Sequence, residues 1–162
     1  MPHIAIEYAI MLPILIVQVL VLPLSTSWIM SLWVDSRMHL ELQDVANHIS
    51  STIQQLYLSL NHENVLPGTV VYSLDVPVAI ESYSYYATGT LRAVSGVNSS
   101  KILDLYFTLR NKGITANSSS TFGPNVSWKP STFMSNSSAP YIRVQKNSTI
   151  TFPDGEFLFS FN

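Results

Sequence analysis

The stretch IAIEYAIMLPILIVQVLVLPL, residues 4–24, decides how the rest of the chain is read. About 20 apolar residues suffice to cross a bilayer as a helix, and from Tyr8 to Val34 no Asp, Glu, Lys or Arg interrupts the run. Yet Glu7 stands near its start. A carboxylate in an apolar medium costs several kcal/mol unless something pairs with it, so it is by default a functional group in search of a partner. A plain single-pass anchor explains everything in this stretch except that acid. A secretory signal peptide has a basic leader region, a shorter apolar core and a small-residue cleavage site, and is disfavoured because Met1-Pro2-His3 offers no basic leader region beyond one histidine.

Beyond the run no glycine occurs before Gly68 and no proline between Pro23 and Pro67, so nothing punctuates a helix. Pro13 and Pro23 lie inside the apolar part, where a packed or membrane-embedded helix bends mildly rather than ends. Met38, Leu42, Val45, Ile49, Ile53, Leu56 and Leu60 recur at steps of three and four, one stripe on one helix face. Gln43, Asn47, Ser50, Gln54 and Gln55 fill the expected polar face. A continuous helix from residue 4 to residue 60 would be about 85 Å long at ~1.5 Å per residue, beyond anything a compact domain of this size contains.

From Val65 onward the pattern changes. Residues 69–78, 83–94, 101–110, 141–146 and 156–161 are rich in β-branched and aromatic side chains and bounded by Gly, Pro, Asn and Asp. Asp154-Gly155 adds a hairpin signal. The sequence therefore predicts an α+β chain: residues 1–64 a long helix, apolar over 4–34 and amphipathic over 35–62, and residues 65–162 a small antiparallel sheet domain docked on the helix stripe. Residues 113–140 are dominated by Ser, Thr, Asn and Pro and read as a linker or, given Phe122, Trp128 and Phe133, as an ordered surface loop pinned by aromatics.

Composition narrows the function. The 162 residues are 47% hydrophobic and only 11% charged, against ~25% charged in ordinary soluble domains, so solubility rests on hydroxyls and amides. Residues 1–64 carry five acids against Arg37 alone, and residues 65–162 seven bases against five acids. Neither balance makes the dense basic patch that nucleic acid requires. Cysteine is absent, which removes disulfides, thiolate nucleophiles and thiolate metal sites together. His39 and His48 fall on opposite helix faces, His48 and His62 are ~21 Å apart along the axis, and His3 stands alone, so no metal site is expected. Glu41 and Asp44 share a face as ordinary solvated acids. No cofactor motif and no catalytic arrangement stands out.

Five Asn-x-Ser/Thr acceptors occur, at Asn98, Asn117, Asn125, Asn136 and Asn147, where chance would supply roughly two. All follow the helix. Ser- and Asn-rich turns generate such triplets on their own, but the bias fits N-linked glycans on an outer face, which places residues 65–162 outside the cell.

The segment AIEYAIMLPILIVQVLV resembles the amino-terminal segment of type IV pilin-like proteins, above all the Glu-Tyr motif of Flp/Tad pilins and TadE-like pseudopilins, with Glu7, Tyr8, Leu12 and Pro13 at the matching positions. VVYSLDVPVAIESYSYYATGTL, with Pro77 between strands, is similar to the β domains of archaeal pilins. The resemblance implies a subunit held in the membrane before assembly, trimmed by a prepilin peptidase and driven by an assembly platform and ATPase into a helical filament. Its helices would pack against copies of itself, with the β domains outside. Glu7 would neutralise the terminal amine of a neighbour. No Lys/Arg-Gly processing site precedes the run: either the leader is already absent and Met1 is the mature terminus, or processing differs, and cleavage before His3 would make Glu7 the fifth residue. The abundant hydroxyls, few charges and repeated acceptors look like filaments of archaea from harsh surroundings. The expectation is a glycosylated extracellular filament subunit for adhesion or cell-surface contact. The alternatives are a minor or TadE-like pseudopilin, and a membrane-anchored exported binding module.

Overall fold

In a computed structural model the described residues are 3–94, 100–138, 140–147 and 156–162, and of residues 3–10 the helical backbone alone. Helix α1 runs without a break from His3–Leu60, 58 residues, with Pro13 and Pro23 inside it. It ends two residues before the expected boundary: Asn61 N donates to Tyr57 O at 2.8 Å, Val65 N to His62 O at 3.1 Å, and Pro67 and Gly68 follow.

The chain divides into two compact units, Met1–Arg37 and Met38–Asn162. The first is helix throughout its described length. In the second, eight strands follow α1: β1 Gly68–Ser73, β2 Tyr85–Ala93, β3 Lys101–Leu109, β4 Thr115–Phe122, β5 Val126–Trp128, β6 Thr132–Met134, β7 Tyr141–Lys146 and β8 Phe157–Phe161. They form two four-stranded sheets, ordered β1-β7-β8-β5 and β4-β3-β2-β6. The second sheet is antiparallel throughout, whereas β5 pairs with β8 in parallel. The α+β class holds, with two sheets where one was expected.

Period-two alternation explains which residues point inward. Leu103, Leu105, Phe107 and Leu109 of β3, Ile142 and Val144 of β7, and Phe157, Phe159 and Phe161 of β8 are buried. Met38, Leu42, Val45, Ala46, Ile49, Ile53 and Tyr57 of α1 join the same core. Each such large side chain contributes roughly 1.5–3 kcal/mol on burial. Aromatic rings join the layers: Tyr57 meets Phe122 and Phe157 edge-on at 5.2 and 5.5 Å, and Phe133 and Trp128 flank Phe161 at 5.6 and 5.0 Å.

Three further expectations need correction. Residues 113–140 are not a linker or loop, because they supply β4, β5 and β6, and Phe122 and Phe133 are core residues. Composition concealed the alternation there, since the inward positions of β4 include Ala116 and Ser120, small enough to let the strand approach α1. Ser50, assigned to the polar face, is buried for the same reason. The Ser120 hydroxyl donates to Ser50 O at 2.9 Å, leaving the Ser50 hydroxyl to donate to Ser120 Oγ at 2.5 Å. Residues 69–78 form strand only as far as Ser73, after which Leu74 N donates to Pro140 O. The Asp154-Gly155 hairpin signal lies outside the described residues.

Candidate functional site

Residues 11–34 of α1 carry seventeen large apolar side chains that are exposed, among them Leu12 at 59%, Leu24 at 72% and Trp33 at 76%. The polar groups in the segment do little to relieve this. The Ser25 hydroxyl folds back onto Val21 O and Leu22 O, Thr26 onto Leu22 O at 2.8 Å, and Ser31 onto Trp28 O at 2.7 Å. Hydroxyls bonded to their own helix present carbon outward and are tolerated in an apolar medium. Gln18, mid-run and exposed, projects the one long polar side chain of the segment, a group that in lipid or among helices bonds across to a neighbour.

At ~1.5 kcal/mol or more apiece, leaving these side chains in water forgoes on the order of 25 kcal/mol. The helix is long and apolar enough to cross a membrane, and none of its most apolar window is buried. Of the residues matched to the pilin-like motif, Leu12 and Pro13 are exposed on this surface. Glu7 and Tyr8 lie in the helical backbone of α1, and their side chains fall outside the described part.

The acceptor asparagines separate into groups. Asn117 sits on edge strand β4, exposed, its carbonyl accepting from Gln43 Nε2 at 2.8 Å. Asn136, just past β6, and Asn147, just past β7, are also exposed. Asn125 differs. It is half-buried, its Nδ2 donates to Glu156 Oε2 at 3.1 Å and Asn61 Oδ1 at 3.4 Å, and its Oδ1 accepts from Tyr57 at 3.1 Å. Asn98 lies outside the described residues.

That network went unnoticed in the sequence. Tyr57 hydroxyl also accepts from Gly123 N at 3.2 Å, and its position four residues after Ile53, which continues the stripe, was the available signal. Lys146 Nζ donates to Leu60 O at 2.9 Å and His62 O at 3.2 Å, lies 3.8 Å from Glu156 Oε1, and stands over the Phe157 ring. It thereby places a cation at the carboxyl end of α1, where the helix dipole favours one. On the second sheet Arg92 Nε donates to Asp104 Oδ2 at 2.6 Å, and that bond raises the guanidinium pKa. Burial pushes the Tyr85 phenol up, while its hydroxyl donates to Pro77 O at 2.8 Å.

Among the described residues no group of His, Asp and Glu is placed to hold a metal ion. Comparison with protein-family models, with curated proteins and with solved structures finds no match in any of the three. The architecture, one long apolar amino-terminal helix and a β-sheet domain, is consistent with a pilin-like protein.

Proposed function

We propose that this chain is a structural subunit of an extracellular type IV pilin-like filament, polymerising through its amino-terminal helix and carrying glycans on its β domain. The observation that carries this reading is the bare apolar surface of residues 11–34, in the same unbroken helix whose later residues build a folded core. A surface of that size needs either lipid or many apolar neighbours, and copies of the same helix supply the second. Glu7-Tyr8 with Leu12-Pro13 supports the same reading, as do exposed acceptors at Asn117, Asn136 and Asn147. On this view the partners are copies of the chain, the membrane before assembly, a prepilin peptidase, and an assembly platform with its ATPase. The role is adhesion or surface contact rather than catalysis.

The test is electron microscopy of filaments sheared from the native cell surface, with mass spectrometry of the same preparation. This chain as the dominant peptide of a thin filament is the expected result. Filaments in which it is rare, while it abounds in the membrane fraction, would point to a minor pseudopilin or an anchored module. The length of the span favours the anchored module as second reading, and Glu7→Gln separates the two. Loss of filaments with membrane insertion intact is expected of a polymer subunit, whereas easier insertion with no other change marks a plain anchor.

A further inference from the structure

On the outer face of the second sheet a groove of about 270 Å³ is lined by Ser84, Tyr85, Tyr86, Arg110, Thr132, Met134 and Asn136. Its floor follows from strand alternation: Tyr85 and Ala87 point into the core, so Tyr86 points out, and its register partner across β2 and β6 is Met134, half exposed. Arg110 is set at one end by its backbone N–H, which donates to Ser84 O at 2.9 Å. The lining thus offers an aromatic ring and a thioether as an apolar plane, two hydroxyls and a guanidinium at the margin, and no carboxylate. That combination suits a pyranose, whose C–H face stacks on an aromatic ring while its hydroxyls meet polar groups at the edge. At below the ~300 Å³ of an ordinary small-molecule pocket, it has room for the first sugars of a chain and little more.

The Asn136-Ser137-Ser138 acceptor lines this groove. Its position is fixed, because Ser135 is buried and doubly tied to β2: Ser135 N donates to Tyr85 O at 3.0 Å, and Tyr85 N donates to Ser135 Oγ at 2.9 Å. Ser137 N closes the following turn onto Met134 O at 3.1 Å. We infer that the groove is the seat of the glycan attached to Asn136, so that this sugar lies on the sheet over Tyr86 and Met134 and beside Arg110 instead of extending into solvent. The inference rests on the reading of these triplets as glycan acceptors. A sugar tethered at the rim has an effective concentration in the millimolar range or above, so contacts too weak to bind a free saccharide still hold it.

The experiment uses the full chain purified from its own glycosylating host, as wild type, Asn136→Gln, Tyr86→Ala and the double variant, with glycopeptide mass spectrometry and backbone amide exchange over residues 84–86 and 132–137. Sugar on Asn136 with exchange several-fold slower than in Asn136→Gln is expected. That difference should vanish in the Tyr86→Ala background although the sugar remains attached. Sugar on Asn136 with exchange equal to that of Asn136→Gln, or a difference that survives Tyr86→Ala, would overturn the groove as its seat while leaving the acceptor reading intact. An unmodified Asn136 beside modified Asn117 or Asn147 would overturn the inference for this site, and no sugar on any acceptor would overturn the acceptor reading itself.

Discussion

Tyr85 shows how much one buried phenol controls. Its hydroxyl is held by Pro77 O and burial keeps it protonated above its ordinary value of 10.0. Above pH 10 the unfolded chain releases that proton while the folded chain retains it, so the folded state binds more protons and stability falls as pH rises. The expected slope is up to ~1.4 kcal/mol per pH unit from this group. Denaturant titrations of the detergent-solubilised chain between pH 7 and 11 should show Tyr85→Phe less stable at neutral pH but with a shallower alkaline decline. Gly89 is constrained differently. A β-carbon there would fall 2.5 Å from Trp128 Cζ2, and the indole cannot easily retreat because it packs edge-on against Phe161. Gly89→Ala should therefore cost about 1–3 kcal/mol through overpacking, read as a lower urea midpoint.

The elements differ in how plainly the sequence displays them. The stripe of α1 was legible because Met38, Leu42, Val45, Ile49 and Ile53 repeat at helical spacing in a stretch free of Gly and Pro, and all are buried. β3, β7 and β8 were legible because large inward residues alternate with polar ones. β4 was not, since Ala116 and Ser120 face the core and Thr115, Asn117 and Ser119 face outward, so that Phe122 alone marks its inward face with a large apolar side chain. Of the candidate site, the apolar surface was legible from hydropathy. The Tyr57–Asn125–Glu156 network was not, because its members are far apart in the chain and joined only by the fold. The carboxyl end of α1 depends on another such distant residue. Lys146→Met removes two charge-assisted bonds to Leu60 O and His62 O and leaves Glu156 without its cation. A loss of about 1.5–3 kcal/mol is expected, with the first amide protons to exchange being those of the last turn before Leu60.

For the whole molecule, the acceptor asparagines rank by what the fold asks of each amide. Sugar on Asn117, Asn136 or Asn147 adds to an exposed side chain. Sugar on Asn125 would replace one Nδ2 hydrogen and so forfeit at least one of its bonds to Glu156 and Asn61. Glycopeptide mapping of the native protein should find Asn125 the least occupied of the four, and Asn125→Gln should lower stability where Asn117→Gln leaves it unchanged. The sheet order bears on how the chain is made. β8, the last strand, lies between β7 and β5 in the middle of its sheet, and Phe157 packs against Tyr57 from a hundred positions earlier. Closing contacts over such separations is slow. During synthesis, Met38 to Tyr57 are therefore made long before β8, which adds Phe157, Phe159 and Phe161 to the same core, and their apolar stripe stays incompletely covered until then. A chain that stalls short of them lacks Phe157, Phe159 and Phe161 and cannot complete its core, so it stays open to proteases.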